Sequence, residues 1–403
     1  VSAGTAAARP VGGVSWLTVE RVGGIGIALG VLAFFLAVPP ATVRLPEVPI
    51  VLGVVAVLAG AIALRERRPR LGWGAIAAGV IGAVGGVAAT ESGVGNLDKV
   101  VVWGALLAAT LRYATPLLFA ALGGLFSERS GVVNIALEGM MLMGAFFAIW
   151  GSDVTHSWVL GLIIGMLAGG ALALIHAVFS VTLRADQIVA GTALNFLALG
   201  ITGYAFVDIY GQQGTPDNVP GVPDVTLPLI KNIPFVGDVI GTVNLLVWLG
   251  LIAAVLTSVV VFRTRFGLRL RSAGENPLAA ETAGLSPVRI RYVGVFISGT
   301  LAAAGGAYLS IGFVHSFSQN MTAGRGFIAL AALIFGRWRP GGALAATLLF
   351  GFGSALAQRL PVFSSSAATL FQALPYVLTL VAVAGVIGRS IPPAALGRPL
   401  ERS

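Results

Sequence analysis

The feature that most constrains this chain is a recurring apolar stretch, about 20 residues long and nearly free of charge. That is the length a helix needs to cross the hydrocarbon core of a bilayer. Candidate spans fall near 22–38, 48–64, 71–90, 104–126, 132–150, 158–180, 187–209, 243–262, 292–312, 322–336, 343–358 and 370–388. The stretch 322–336 is short enough to be a re-entrant half-helix. Residues 1–21 offer no small-residue cleavage site ahead of Val22–Val38, so that stretch reads as an uncleaved span. Only 10% of the 403 residues are charged, against about a quarter in soluble domains. The 55 Gly suit helices whose backbones approach closely. The expected fold is all-α, a polytopic transmembrane helical bundle.

Charge placement orients the bundle. With the amino terminus inside, most of the 25 Lys and Arg fall on the cytoplasmic side, as the positive-inside rule requires. Arg65, Arg67, Arg68 and Arg70 lie there, with Arg263, Arg265, Arg269, Arg271, Arg289 and Arg291. Arg44, Lys99, Lys231, Arg325 and Arg359 fall outside, and Arg112 lies within a span, placed to snorkel outward. Both termini are then cytoplasmic. The net charge of +9 is a topology signal, and no nucleic-acid partner is expected. The absence of Cys excludes disulfides and thiolate chemistry, and three dispersed His make no metal cluster.

The chain divides unevenly. Residues 1–98 hold three almost wholly apolar spans and close on ESGVGNLDK, an accessory bundle. Residues 99–403 form the working core, where the spans carry Arg112, Asn134, Glu138, His176 and Asn195. An outer loop, 210–242, is rich in Pro and mildly acidic, and reads as irregular surface.

A charged interruption, 263–291, separates two spans. Within it Asn276 is a good N-cap, Pro277 suits the first helical position, and Gly284 the left-handed position that ends a helix. Pro287 blocks continuation. The helix so defined, Pro277–Ala283, is about 10 Å long, far too short to span. It is either an ordinary capped loop helix or a knob shaped for a cytoplasmic partner. A partner motor fits what the chain lacks: Lys99 and Lys231 are followed by Val and Asn, so no phosphate-binding GxxxxGK[ST] loop exists.

Polar residues inside the spans are expensive and face a cavity or a partner. Asn134 and Glu138, four apart, are expected to share a helix face. With Asn195 they are candidates for the wall of a substrate pathway, able to meet sugar hydroxyls or base edges. The structural alternative has Glu138 paired with Arg112 or capping a broken helix. His176 reads as a packed, hydrogen-bonded residue. Gly299, Ala303 and Gly306 read as close-packing positions.

Four stretches carry a family resemblance: LFSERSGVVNIALEGMMLMGAF from Leu125, ADQIVAGTALNFLALG from Ala185, GLRLRSAGENPLAAETAGLSPVRIRYVGVFISGTLAAAGGAYL from Gly267, and GRGFIALAALIFGRWRPGGA from Gly324. Together they are similar to ATP-binding-cassette importer permeases of the branched-chain amino acid, simple sugar and nucleoside branch, above all the nucleoside subgroup. The resemblance implies a type II-like permease in a bacterial plasma membrane, importing nucleosides or, next, simple sugars. It implies ATPase subunits that carry the ATP and Mg, a second and related permease, and an extracytoplasmic substrate-binding lipoprotein. No cofactor is then expected on this chain. The coupling contact with the ATPase would be made by Gly274, Glu275, Asn276, Pro277, Leu278, Ala280, Glu281 and Gly284. The alternative class is an ion-coupled secondary transporter, which would leave 263–291 without a task. A membrane enzyme would need clustered acids, His or nucleophiles, and the sequence shows none.

Overall fold

The computed structural model describes residues 19–37, 45, 47–66, 68–91, 103–211, 213–233, 235–359 and 391–400. The expected span at 370–388 lies outside these residues, as do Arg44, Lys99 and the expected break at 98/99. By internal contacts the chain forms two compact units, Val1–Trp103 and Gly104–Ser403.

The first unit is built of α1 (Val19–Ala37), α2 (Glu47–Arg65) and α3 (Pro69–Glu91). Small residues set their spacing. Gly30 of α1 lies against the backbone of Ala78 and Gly79, and Gly53 and Gly60 of α2 lie against the carbonyls of Gly79 and Gly72. A Cβ at any of these would collide with backbone, so the three helices touch more closely than larger side chains allow. Val31, Val51, Leu58 and Ile81 face outward and exposed, a surface suited to lipid rather than water.

The second unit holds α4 (Trp103–Arg129) from its second residue onward, followed by α5 (Leu137–Thr155), α6 (Trp158–Ala177) and α7 (Gln187–Tyr210). The last turn of α6 widens into a π-helical segment, Val178–Thr182. Then come β1 (Asp224–Thr226), α8 (Pro228–Lys231), α9 (Val236–Ile240), β2 (Thr242–Asn244) and α10 (Leu245–Arg263). The short helices α11 (Arg265–Glu275) and α12 (Pro277–Thr282) lead into α13 (Pro287–Ala307), itself extended by a π-helical segment to Val314. α14 (Arg325–Phe335) and α15 (Pro340–Arg359) complete the described helices. The centre is α5, packed on α6 and α13. Gly144 of α5 lies on the backbone of Ala303, Gly306 on the carbonyl of Met141, and Gly299 on that of Gly169. Around this contact Leu137, Met140, Met141, Phe146 and Tyr308 are fully buried.

Eight helices among the described residues are long and apolar enough to cross a membrane, so this is a polytopic helical membrane protein. Two expectations change, and the open choice over 322–336 falls to a short helix. The stretch read as a span over 132–150 becomes a helix only at Leu137, because Ser130–Ala136 is a buried turn whose backbone bonds to side chains instead. α14 has 11 residues and is about 16 Å long, too short to cross. The fold is also not purely α-helical. In the loop that begins at 210 and at its far edge, β1 and β2 pair antiparallel, with Asp224 opposite Asn244 and Thr226 opposite Thr242. That loop is fixed rather than irregular: Val222 N–H donates to Ile311 O at 2.8 Å, Asn244 Nδ2 to Val222 O at 2.8 Å, and Ser152 Oγ to Pro220 O. Buried Val219 and Val222 anchor it by their side chains.

Candidate functional site

The arginine-rich end of the second unit carries the interrupted segment. α10 stops at Thr264, whose hydroxyl accepts from Gly267 N–H at 3.2 Å and starts α11. α11 is amphipathic. Gly267, Leu270, Ala273 and Gly274 are buried, while Arg271 and Arg129 lie over the Phe262 ring at 5.2 and 5.7 Å. Asn276 then caps α12, its Oδ1 accepting from Ala279 N–H at 3.0 Å, with Pro277 in the first turn. The helix ends one residue before the expected Ala283. Gly284 takes the left-handed conformation at φ +79°, and its N–H returns to Glu281 O at 2.9 Å. Ser286 caps α13 by accepting from Arg289 N–H at 3.4 Å.

The coupling candidates differ in what they present. Leu278, at 50% exposure, and Glu281 stand on the outer face of α12. Ala280 is 3% exposed and belongs to the core, so it corrects the expectation of a surface position. Gly274 is buried against Arg129 O, where a Cβ has no room. Glu275 pairs with Arg129 at 3.8 Å and accepts from Ala394 N–H at 3.2 Å. This ion pair is long and half open to solvent through Glu275, so it contributes little by itself. Its place between three segments is what distinguishes it.

Deeper in the unit, Asn134, Glu138 and Asn195 do come together, but not as expected. Asn134 lies in the turn ahead of α5, so it shares no helix face with Glu138. Its Nδ2 donates to Ser298 Oγ at 2.8 Å, and its Oδ1 has no hydrogen-bond partner among the described residues. Asn195 accepts from Gly139 N–H at 2.7 Å and donates to Ile135 O at 2.9 Å, fastening the start of α5 to α7. Glu138 does not pair with Arg112, which is exposed. Its carboxylate accepts from Gly324 N–H at 2.7 Å and Gly326 N–H at 2.6 Å. These are free donors at the amino end of α14, where the helix dipole also favours a negative charge. Glu138 is thus the cap of a short interrupted helix, the structural alternative raised above. Hydrogen-bonded to backbone and only 8% exposed, it is a poor candidate for contacting a passing solute.

Residues that sequence reasoning missed, together with His176, which it read as packed and hydrogen-bonded, brace the non-helical turn 130–136. A turn at this depth survives only if its backbone groups find protein partners. Ser127 Oγ donates to Val132 O at 2.7 Å, and Gln187 Oε1 accepts from Val133 N–H at 2.7 Å. His176 Nε2 lies 3.0 Å from Val133 O, and Arg291 Nε donates to Ser130 O at 3.2 Å. The far end of α14 is held by the same corner. Trp338 Nε1 donates to Glu128 Oε2, while Arg129 Nε and Nη2 donate to Trp338 O at 3.1 and 2.9 Å. One corner between α4 and α5 therefore grips α14 at both ends and touches α11 through Arg129.

A model of the branched-chain amino acid transport system permease component matches residues 106–383. The chain belongs to this family. The permease is 42% identical to the guanosine ABC transporter permease protein NupQ of Bacillus subtilis, over 75% of this chain and 98% of the relative. It is 40% identical to the nucleoside ABC transporter permease protein NupC of Lactococcus lactis, over 72% and 95% respectively. The putative glucose ABC transporter permease protein TsgC13 of Haloferax volcanii is 36% identical over 63% of this chain and 77% of the relative. No solved structure matches the chain at a significant level. The permease is thus the membrane-embedded transport component of an ATP-binding-cassette transporter, a non-catalytic subunit. A permease of this class works with ATPase and binding-protein partners.

Proposed function

We propose that the permease imports nucleosides, guanosine among them. The observation that carries this reading is the match to two relatives named for guanosine and nucleoside transport, at 42% and 40% identity over nearly their full lengths. The relative named for glucose is more distant, at 36%, and makes simple sugars the second reading. In this reading the fold is a type II-like importer permease. The arginine-rich end faces the cytoplasm, both termini lie inside, and α12 is the knob that enters the ATPase subunit. Asn276, Pro277 and Gly284 hold that knob in shape; Leu278 and Glu281 make the contact, and Gly274 and Glu275 anchor its base. The loop 210–242 receives the extracytoplasmic binding protein, and a related permease completes the pair. Residues 1–98 are accessory to this core. The pathway runs beside the corner that holds Asn134, Glu138 and Asn195, whose task is to shape its wall. Uptake of labelled guanosine by membranes holding the complete importer tests the substrate. Competition by unlabelled nucleosides and not by glucose is expected; competition by glucose alone would reverse the assignment.

A further inference from the structure

Residues 391–400 lie against the arginine-rich end and cross three elements of it. Ala395 N–H donates to Gly274 O at 2.9 Å, and Gly397 N–H to Gly131 O at 3.2 Å. Ala394 N–H donates to Glu275 at 3.2 Å, and Arg398 O accepts from Arg291 Nη1 at 3.0 Å. The segment is therefore fastened to the end of α11, to the turn before α5 and to the base of α13. Arg291 is fully buried beneath it. Gly397 takes φ +76°, a bend that a side chain disfavours and that brings its N–H onto Gly131. Four such bonds fix a strap, not a loose tail.

Between strap and α12 runs a groove of about 780 Å³. Asn276, Leu278 and Glu281 line one wall, and Ala394, Arg398 and Pro399 the other. Leu278, Ala394, Arg398 and Pro399 are exposed. The groove is lined by polar and apolar groups in nearly equal measure, with Glu275 and Glu281 on the α12 side and Arg398 on the strap, and Arg184 beside them. A half-open groove with exposed apolar side chains such as Leu278 and Pro399 beside charges of both signs has the mixed make-up of a protein–protein contact.

We propose that this strap is the second wall of the ATPase socket, so that an element of the ATPase subunit enters the groove between α12 and residues 394–399. The inference rests on α12 being the coupling contact. It adds that the surface continues from α12 across the groove onto the strap. The occupant is the ATPase subunit because the groove is continuous with that contact and opens at the arginine-rich end. Glu275 and Glu281 face Arg184 and Arg398 around the groove, so its edges offer both signs of charge to a protein surface and no net positive charge to an anionic lipid headgroup. The strap's bonds to Gly274 and Gly131 then make the socket one piece with the corner that grips α14.

The chain has no Cys, so each of Leu278→Cys, Ala394→Cys and Pro399→Cys introduces a single thiol. Leu229→Cys, at a position 88% exposed in the loop 210–242, serves as the unaffected control. Maleimide labelling rates are measured in permeabilised membranes with and without co-expressed ATPase subunits. The expectation is that the ATPase slows labelling by an order of magnitude at Leu278, Ala394 and Pro399, and leaves Leu229 unchanged. Slowing at Leu278 alone overturns the strap and leaves the coupling reading standing. Slowing at Ala394 and Pro399 but not at Leu278 overturns both the groove and the coupling role of α12, and leaves a contact on the strap alone. No slowing at any of the three refutes both. Protection of Ala394 and Pro399 already complete without the ATPase means that lipid or the permease itself fills the groove, and overturns the proposal.

Discussion

Glu138→Gln distinguishes a helix cap from a pathway wall. The carboxylate accepts two backbone N–H groups, from Gly324 and Gly326, at 2.7 and 2.6 Å. A hydrogen bond to a charged group contributes about 1.5–3 kcal/mol, and a negative charge at a helix amino end about 0.3–2 kcal/mol more. Glutamine keeps one acceptor and turns the other position into a donor facing an N–H. The substitution therefore removes one bond and the charge, a loss of about 2–5 kcal/mol. Glu138→Ala removes both bonds and the charge and leaves two buried donors without partners, a loss of about 3–8 kcal/mol. Arg112→Gln should cost almost nothing, because Arg112 is exposed and Glu138 is bonded elsewhere. Unfolding in mixed detergent micelles, followed by circular dichroism against denaturant, ranks the three variants. The order expected is Ala least stable, then Gln, with Arg112→Gln at the level of the native protein. The reasoning is refuted if Glu138→Gln unfolds with the native protein while transport is lost, since a solute contact would then be the carboxylate's task.

Two further perturbations separate surface from core at the proposed contacts. Leu278→Asp, on the outer face of α12, should leave insertion and stability intact and abolish ATP hydrolysis stimulated by loaded binding protein. Ala280→Asp buries a charge two residues away and should instead lower the yield of folded permease, as size-exclusion chromatography would register. In the outer loop, Leu229→Arg changes a residue 88% exposed and should weaken the response to binding protein, read as the concentration needed for half-stimulation. Asn244→Ala removes the cap of α10 and the bond to Val222 O, and should destabilise the fold by about 1–2 kcal/mol in the same denaturation assay.

The sequence by itself determined what depends on neighbours in the chain. Apolar length decides which segments can cross a bilayer, because each helix satisfies its own backbone there. Asn276, Pro277 and Gly284 announce a short capped helix, because a cap acts over three or four residues. The motif stretches reached the family for the same reason, being contiguous words. Tertiary structure decided everything that depends on distant partners. Nothing local tells that Glu138 will meet Gly324 and Gly326, 186 and 188 positions away. Nor does Val132–Ala136, apolar but for Asn134, reveal that it is a turn rather than the start of a helix. Its carbonyls and N–H groups are satisfied by Ser127, His176, Gln187 and Asn195, which only the packed bundle brings to it. Ala280 looks like Ala279 in the sequence, and differs only because the helix turns one toward the core and the other to solvent. The β1–β2 pair arises likewise, since two three-residue strands too short to register as a pattern are held together by Asn244 and by the bond from Val222 to Ile311. Hydrogen bonds between remote segments are chosen by packing, and packing is a property of the whole bundle rather than of any stretch of it.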